Sequence, residues 1–195
     1  YSPTFEDKKY ENLIFTSMRE GATGTEASNR TGESSADLYI TKRDPKGKWS
    51  APALVDGVNT DQEEGAAALN DKRNTIYFTR CYIGSKPGDK TNCRIFTAKK
   101  SGQRWDGAED AKVIADSLSI GHPALNEDES TLIFASDISG GIGGKDLWMS
   151  KYDSKTKTWS PPENLGSGIN TSADELFPYI HDDGSLYFSS SGLVG

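Results

Sequence analysis

Leu132-Ile133-Phe134-Ala135-Ser136, the loop from Asp137 to Lys145, and then Asp146-Leu147-Trp148-Met149 form the stretch on which the fold turns. A short apolar run breaks at a glycine-rich loop and resumes as a second short run, which reads as two neighbouring strands. The first core recurs as Leu13-Ile14-Phe15-Thr16-Ser17, Ile76-Tyr77-Phe78-Thr79 and Leu186-Tyr187-Phe188-Ser189-Ser190. Its phenylalanines stand at 15, 78, 134 and 188, spaced by 63, 56 and 54 residues. Trp49, Trp105 and Trp159 form a second series, spaced by 56 and 54. Two aligned aromatic series identify a tandem repeat. An irregular single β-sandwich would have to produce both by coincidence.

Each unit reads as four short strands. A segment such as Gly121-His122-Pro123-Ala124-Leu125 leads through an acidic turn, Asn126-Glu127-Asp128-Glu129, into the apolar core strand. A polar or Gly-rich loop then reaches a third strand, and a charged turn precedes the Trp segment, as in Trp159-Ser160-Pro161-Pro162. Tandem four-stranded antiparallel units predict an all-β fold, a β-propeller whose blades bury their faces by stacking. The units run over about 2–57, 66–114, 122–165 and 177–195, giving three blades and the first half of a fourth in one segment, 1–195. Closed propellers have about four to eight blades. The sequence is therefore expected to be part of a larger protein, completed by the rest of its own propeller or by another copy.

Composition agrees. Only 34% of the 195 residues are apolar, with 20 Gly and 8 Pro, as in a turn-rich all-β chain. The 29 acidic and 22 basic residues leave a net charge of −7, which disfavours nucleic acid. No stretch approaches the ~20 apolar residues of a membrane span, so direct membrane insertion is not expected. The opening Tyr1-Ser2-Pro3 has neither an initiating Met nor a signal-like run, and reads as a processed or excised start.

Pro123-Ala124-Leu125, the Gly140-Gly141-Ile142-Gly143-Gly144-Lys145-Asp146-Leu147-Trp148 loop, Trp159-Ser160-Pro161-Pro162-Glu163-Asn164-Leu165 and Asn170-Thr171-Ser172-Ala173-Asp174-Glu175 resemble the WD40-like PD40 propeller repeat. That family includes TolB. The likeness is greatest to propellers of Bacteroidetes OmpA-family lipoproteins, among them the PorE-like component associated with type IX secretion. The second unit departs from the pattern, with Ala67 where Pro is expected and a Cys-containing loop in place of the Gly loop. The resemblance implies a non-catalytic periplasmic module that scaffolds a cell-envelope or secretion-system protein. It would be associated with the outer membrane through parts outside this chain.

The repeat places Cys81 just after one strand and Cys93 just before the next, where an antiparallel pair brings them face to face. A structural disulfide is expected there, implying an oxidising compartment; free thiols are the alternative. Zinc is excluded because no His or Cys stands at ligand spacing. The blade connections carry paired acids: Asp61, Glu63 and Glu64, then Asp174 and Glu175. Gathered on one face they would attract a basic partner; the alternative is that Asn, Thr and Asp there cap turns. The connection Asp116-Ser117-Leu118-Ser119-Ile120 lacks the pattern. In the Gly loop, the glycines are expected to supply positive φ while Asp137 and Asp146 bond backbone amides, with calcium as the alternative.

No cofactor and no catalytic residue is assigned. The sequence has no G-x-S-x-G elbow, no sialidase Asp-box and no arginine cluster. His122 and His181 fall at non-equivalent places and read as packing or surface residues. The runner-up is a carbohydrate-binding or glycoside-cleaving propeller built on paired carboxylates.

Overall fold

The strand cores alternate in the side to which their side chains point, so each sheet presents two apolar faces and needs a neighbour on both. The computed structural model describes residues 1–23, 35–82, 91–115 and 117–193. Blade 1 consists of β1 (Thr4–Phe5), β2 (Asn12–Ser17), β3 (Asp37–Lys42) and β4 (Ala53–Leu54). Blade 2 holds β5 (Glu63–Leu69), β6 (Thr75–Tyr82), β7 (Asn92–Ser101) and β8 (Arg104–Asp110). Blade 3 holds β9 (Ile120–Leu125), β10 (Thr131–Ser136) and β11 (Asp146–Asp153), edged by β12 (Thr158–Trp159) and β13 (Glu163–Asn164). The half-blade pairs β14 (Glu175–Ile180) with β15 (Leu186–Ser190). Within each blade the successive strands pair antiparallel, except that in blade 3 both β12 and β13 pair with β11. The all-β propeller segment expected from the repeat is the architecture observed.

Three apolar clusters correspond to the three blade interfaces. Ile14 and Leu38 of blade 1 meet Ile76, Phe78, Phe96 and Trp105 of blade 2. Ile95 and Val113 of blade 2 meet Leu132, Phe134 and Trp148 of blade 3. Ile133, Ala135 and Leu147 of blade 3 meet Leu176, Leu186 and Phe188 of the half-blade. Phe78, Phe134 and Phe188 thus each face the preceding blade. The tryptophans follow the same rule: Trp105 is 1% exposed in the first interface, whereas Trp49 in blade 1 is 39% exposed.

The first strands line a common axial cavity, and each unit has a left-handed residue at the corresponding point, Ser2 just ahead of β1 and Ala66, His122 and Phe177 within β5, β9 and β14, with φ of 50, 42, 54 and 52°. In β5, β9 and β14 the ladder shifts register at this residue. Such bulges bend a strand and re-aim a side chain, here around the axis. The turns that follow repeat as well. Asp7, Asn70 and Asn126 accept the backbone N–H of Asn12, Thr75 and Thr131 at 2.7, 2.9 and 2.8 Å, closing each turn with a side-chain oxygen.

Cys81 and Cys93 are directly opposed on β6 and β7 and form a disulfide, with Cα atoms 3.9 Å apart. The bond ties the two central strands of blade 2 together across a sequence separation of 12. Reduction should lower stability by about 3 kcal/mol through the freed loop entropy of the unfolded chain. Urea unfolding with and without a reductant, repeated on a Cys81→Ser/Cys93→Ser variant, measures this. Equal midpoints in all samples would contradict it.

Candidate functional site

The connection between blades 1 and 2 is built by four side chains, those of Asn59, Thr60, Glu64 and Arg80. Asn59 Oδ1 accepts the Leu38 N–H at 2.9 Å, and Asn59 Nδ2 donates to the Leu38 carbonyl at 2.9 Å. One side-chain amide therefore pairs with β3 as another strand would. Thr60 then donates to Glu64 through its backbone N–H at 3.0 Å and its hydroxyl at 2.6 Å. Glu64 also accepts Arg80 Nε at 2.7 Å, and Arg80 donates on to the Val58 carbonyl at 2.8 Å. Burial pushes the Glu64 carboxyl up, against the pull of Thr60 and Arg80.

The connection into the half-blade repeats the device. Asn170 Oδ1 accepts the Leu147 N–H at 2.7 Å and Asn170 Nδ2 donates to its carbonyl at 3.0 Å. Thr171 donates its N–H and hydroxyl to Glu175 at 2.8 and 2.7 Å, and Ser190 Oγ donates to Glu175 at 2.5 Å. Connection 2–3 lacks this motif and uses an arginine instead. Arg94 Nε donates to Asp110 Oδ2 at 2.9 Å, while its Nη atoms donate to the carbonyls of Ala115 at 2.8 Å and Ile114 at 2.9 Å. The neighbouring Cys93 N–H donates to Ser119 Oγ at 3.0 Å. Burial pushes the Asp110 carboxyl up, but the Arg94 hydrogen bonds and the Lys112 N–H outweigh it and hold the group below its ordinary range.

The five acidic candidates are therefore divided between interior and surface. Glu64 and Glu175 are 0% exposed, with oxygens occupied by intramolecular donors, so neither presents charge to a partner. Each instead accepts the backbone N–H and hydroxyl of the connection's threonine, Thr60 or Thr171, whereas the turn-capping alternative named Asn, Thr and Asp. Asp61 is exposed and Glu63 is partly buried on β5 opposite Cys81. Asp174 is exposed, yet one oxygen accepts the Lys145 N–H at 2.7 Å.

That last bond latches the Gly loop to the next connection, joined by Gly144 N–H to the Ala173 carbonyl at 2.9 Å. Of its glycines, only Gly140 has positive φ, at 95°. Gly143 and Gly144 provide room: a Cβ would lie 2.3 Å from the Thr171 carbonyl at the first and 2.2 Å from Asp174 Oδ1 at the second. Asp146 accepts the N–H groups of Ile142 and Gly143 at 2.5 and 3.1 Å and the Asn164 amide at 2.7 Å. Its oxygens face donors, the opposite of a calcium site. Asp137 is exposed and, among the described residues, bonds no backbone amide, contrary to expectation, because the chain at Ile142 and Gly143 folds over Asp146 instead.

At the axis, His122 joins three units. Its N–H donates to Thr79 Oγ1 of blade 2 at 2.8 Å. Its ring stacks on Phe177 of the half-blade with centroids 4.0 Å apart, and Nδ1 accepts the Phe177 N–H at 3.4 Å. Burial, aided by Lys145, lowers its pKa to about 4. The unfolded chain then binds a proton that the folded chain refuses as pH falls from about 6.5 to 4. Stability is full above that window, and about 3 kcal/mol is lost across it. Denaturant midpoints for wild type and His122→Gln measured between pH 7 and 4 should diverge accordingly; parallel curves would contradict the assignment. His181 is an exposed turn residue whose Nδ1 accepts the Asp183 N–H at 3.2 Å.

The cavity encloses about 740 Å³ and is lined by all four first strands. Tyr1, Phe5, Tyr10, Phe177 and Tyr179 supply aromatic walls, with Asp71, Arg73, Glu127 and Asp182 near them. Sequence reasoning missed this convergence and missed Arg94, while it read the asparagines of the connections only as turn caps.

No protein-family model matches the sequence, and the comparison with curated proteins gives no match. Solved structures do share the architecture. An α-L-arabinofuranosidase from Lactobacillus brevis superposes with a TM-score of 0.59 at 13% identity, over 99% of this chain and 66% of its own. A TolB-type protein from Agrobacterium tumefaciens gives 0.55 at 14%, over 94% and 52%. A puromycin-hydrolysing peptidase from Mycobacterium tuberculosis gives 0.53 at 12%, over 99% and 29%. The chain thus spans between 29% and 66% of the length of these proteins. At such identities the likeness is one of fold: four-stranded antiparallel blades arranged as part of a β-propeller, shared by TolB-type proteins, peptidases and glycosidases alike.

Proposed function

We propose that the chain is a non-catalytic, extracytoplasmic interaction module whose partner-facing surface is the end of the blades carrying the inter-blade connections. The observation that carries this reading is the division of labour at that end. Buried Glu64, Glu175 and Arg94 hold the connections rigid, while Asp61, Asp137 and Asp174 stay exposed on them and on the adjoining loop. A preorganised acidic rim loses little entropy on binding and steers a basic partner. The disulfide supports an oxidising compartment. Together with the PD40 resemblance, it favours the periplasm, at the outer membrane, with an envelope or type IX secretion protein as partner.

Charge reversal separates this role from a structural one. Asp61→Lys/Asp137→Lys should weaken association with the envelope partner by about tenfold or more while leaving the unfolding midpoint in place. Undiminished association in co-purification from the native envelope would refute the surface assignment.

A further inference from the structure

The side wall between blades 2 and 3 carries a groove whose counterpart between blades 1 and 2 is sealed. The two connections align through their backbones: Val55 N–H donates to the Leu38 carbonyl and Ala111 N–H to the Ile95 carbonyl, each at 2.9 Å. Counting on from these bonds, Val113 takes the place of Gly57. Gly57, with φ of 89°, lets its connection lie directly against the Trp105 carbonyl, and Trp105 is 1% exposed. Val113 is buried in the second interface, and its branched bulk holds the connection off Trp159. The space left encloses about 380 Å³ and is lined by Ile114, Leu118, Ile138, Trp159 and Pro162. Leu118 is exposed and the other four are half-buried. Both walls belong to blades whose strands are all present, so no open blade face contributes to the groove.

The walls and the rim ask for different chemistry. Apolar walls favour an apolar group and penalise a charge. The volume lies at the lower end of the ~300–1,000 Å³ of binding pockets, which suits one large side chain and not an extended ligand. Carboxylates stand at the rim: Asp137 precedes Ile138 and Glu163 follows Pro162, and both are exposed. Lys112 also borders the groove, but its Nζ lies 3.8 Å from Asp110, which counters its charge. An apolar residue with a basic neighbour satisfies walls and rim together. Leu118, in connection 2–3, and Ile138, in the Gly loop, make the groove continuous with the acidic surface at the connection end.

We propose that this groove anchors the basic protein partner of that surface through one large apolar side chain, whose flanking Lys or Arg residues meet Asp137 and Glu163. Trp159 and Leu118 form the wall that the anchor covers, and the carboxylates set its polarity. The proposal rests on the reading of the connection end as partner-facing. It adds the point where binding energy concentrates and the partner motif that fits there.

The test uses the protein and its variants isolated from the native envelope, with three acetylated pentapeptide amides as probes. These are Ser-Lys-Phe-Lys-Ser, the same peptide with Ser in place of Phe, and the same peptide with Glu in place of both Lys. The first should bind saturably below about 1 mM with a change in tryptophan fluorescence, and the other two at least about tenfold more weakly. Leu118→Ser should weaken the first peptide at least about fivefold with the unfolding midpoint unchanged. Asp137→Lys/Glu163→Lys, two surface changes that leave the walls intact, should reverse the preference between the Lys and Glu peptides. Binding that ignores the exchange of Phe for Ser, or survives Leu118→Ser unaltered, overturns the groove, as does failure of the first peptide to bind. Undiminished envelope association in Asp61→Lys/Asp137→Lys, with groove-dependent peptide binding intact, overturns the acidic rim alone.

Discussion

Gly57→Ala is expected to destabilise the chain by about 3–5 kcal/mol, because backbone strain and overpacking act together at that residue. Gly57 lies in the connection between blades 1 and 2 with φ of 89°, a conformation that costs any other L-residue energy. A Cβ there would also stand 1.7 Å from the Trp105 carbonyl oxygen and 2.9 Å from its carbon. The contact is one of backbone on backbone, held by the Trp105 N–H donating to the Asp56 carbonyl at 3.0 Å, so no side chain can swing away. Relief must come from lifting β8 off the connection, which exposes Trp105. Gly166→Ala is the control: φ is 77°, but nothing lies within 4 Å of its Cβ, so only strain of about 1–2 kcal/mol applies. Urea unfolding followed by tryptophan fluorescence should show the larger loss at Gly57, with a red-shifted native spectrum. Similar small losses at both glycines would contradict the packing described.

Arg94→Ala should cost a comparable amount, about 3–5 kcal/mol, since it leaves a half-buried carboxylate and several carbonyls without their donor. Arg94 is 4% exposed and spans from Asp110 to Ile114, Ala115 and Leu118. Lysine has one point charge and cannot reach a carboxylate and these carbonyls at once, so Arg94→Lys should rescue little. A second readout distinguishes this network from bulk packing: the Asp110 carboxyl, held down by Arg94, should titrate at higher pH in the variant. Stability lost without that titration change would mean that Arg94 acts only as filler.

The fold was legible because its signal is periodic. Phe15, Phe78, Phe134 and Phe188, with Trp49, Trp105 and Trp159, mark equivalent points of successive sheets, and each buried member packs on the blade before it. Cys81 and Cys93 were legible for the same reason, since the repeat fixes which strand ends oppose each other.

The connections were legible only in part. Asn59-Thr60 and Asn170-Thr171 stand at the same offset before Glu64 and Glu175, so a turn-capping role could be read. That the carboxylates would be fully buried could not, because their partners Arg80 and Ser190 lie on the following strand. Arg94 was invisible for a related reason: its carbonyl partners carry no side-chain signature. The aromatic cavity depends on residues from separate blades converging at the axis, which no local pattern encodes.

The claim that matters most is that the acidic end of the blades meets a protein partner. The direct measurement is crosslinking of the protein in its native envelope, with crosslinked peptides identified by mass spectrometry. Reproducible links from Lys145, beside Asp174, or from the carboxylates of Asp61, Asp137 and Asp174, to one envelope protein are the expected result. Links confined to the chain itself, or spread evenly over both ends of the blades, would contradict it.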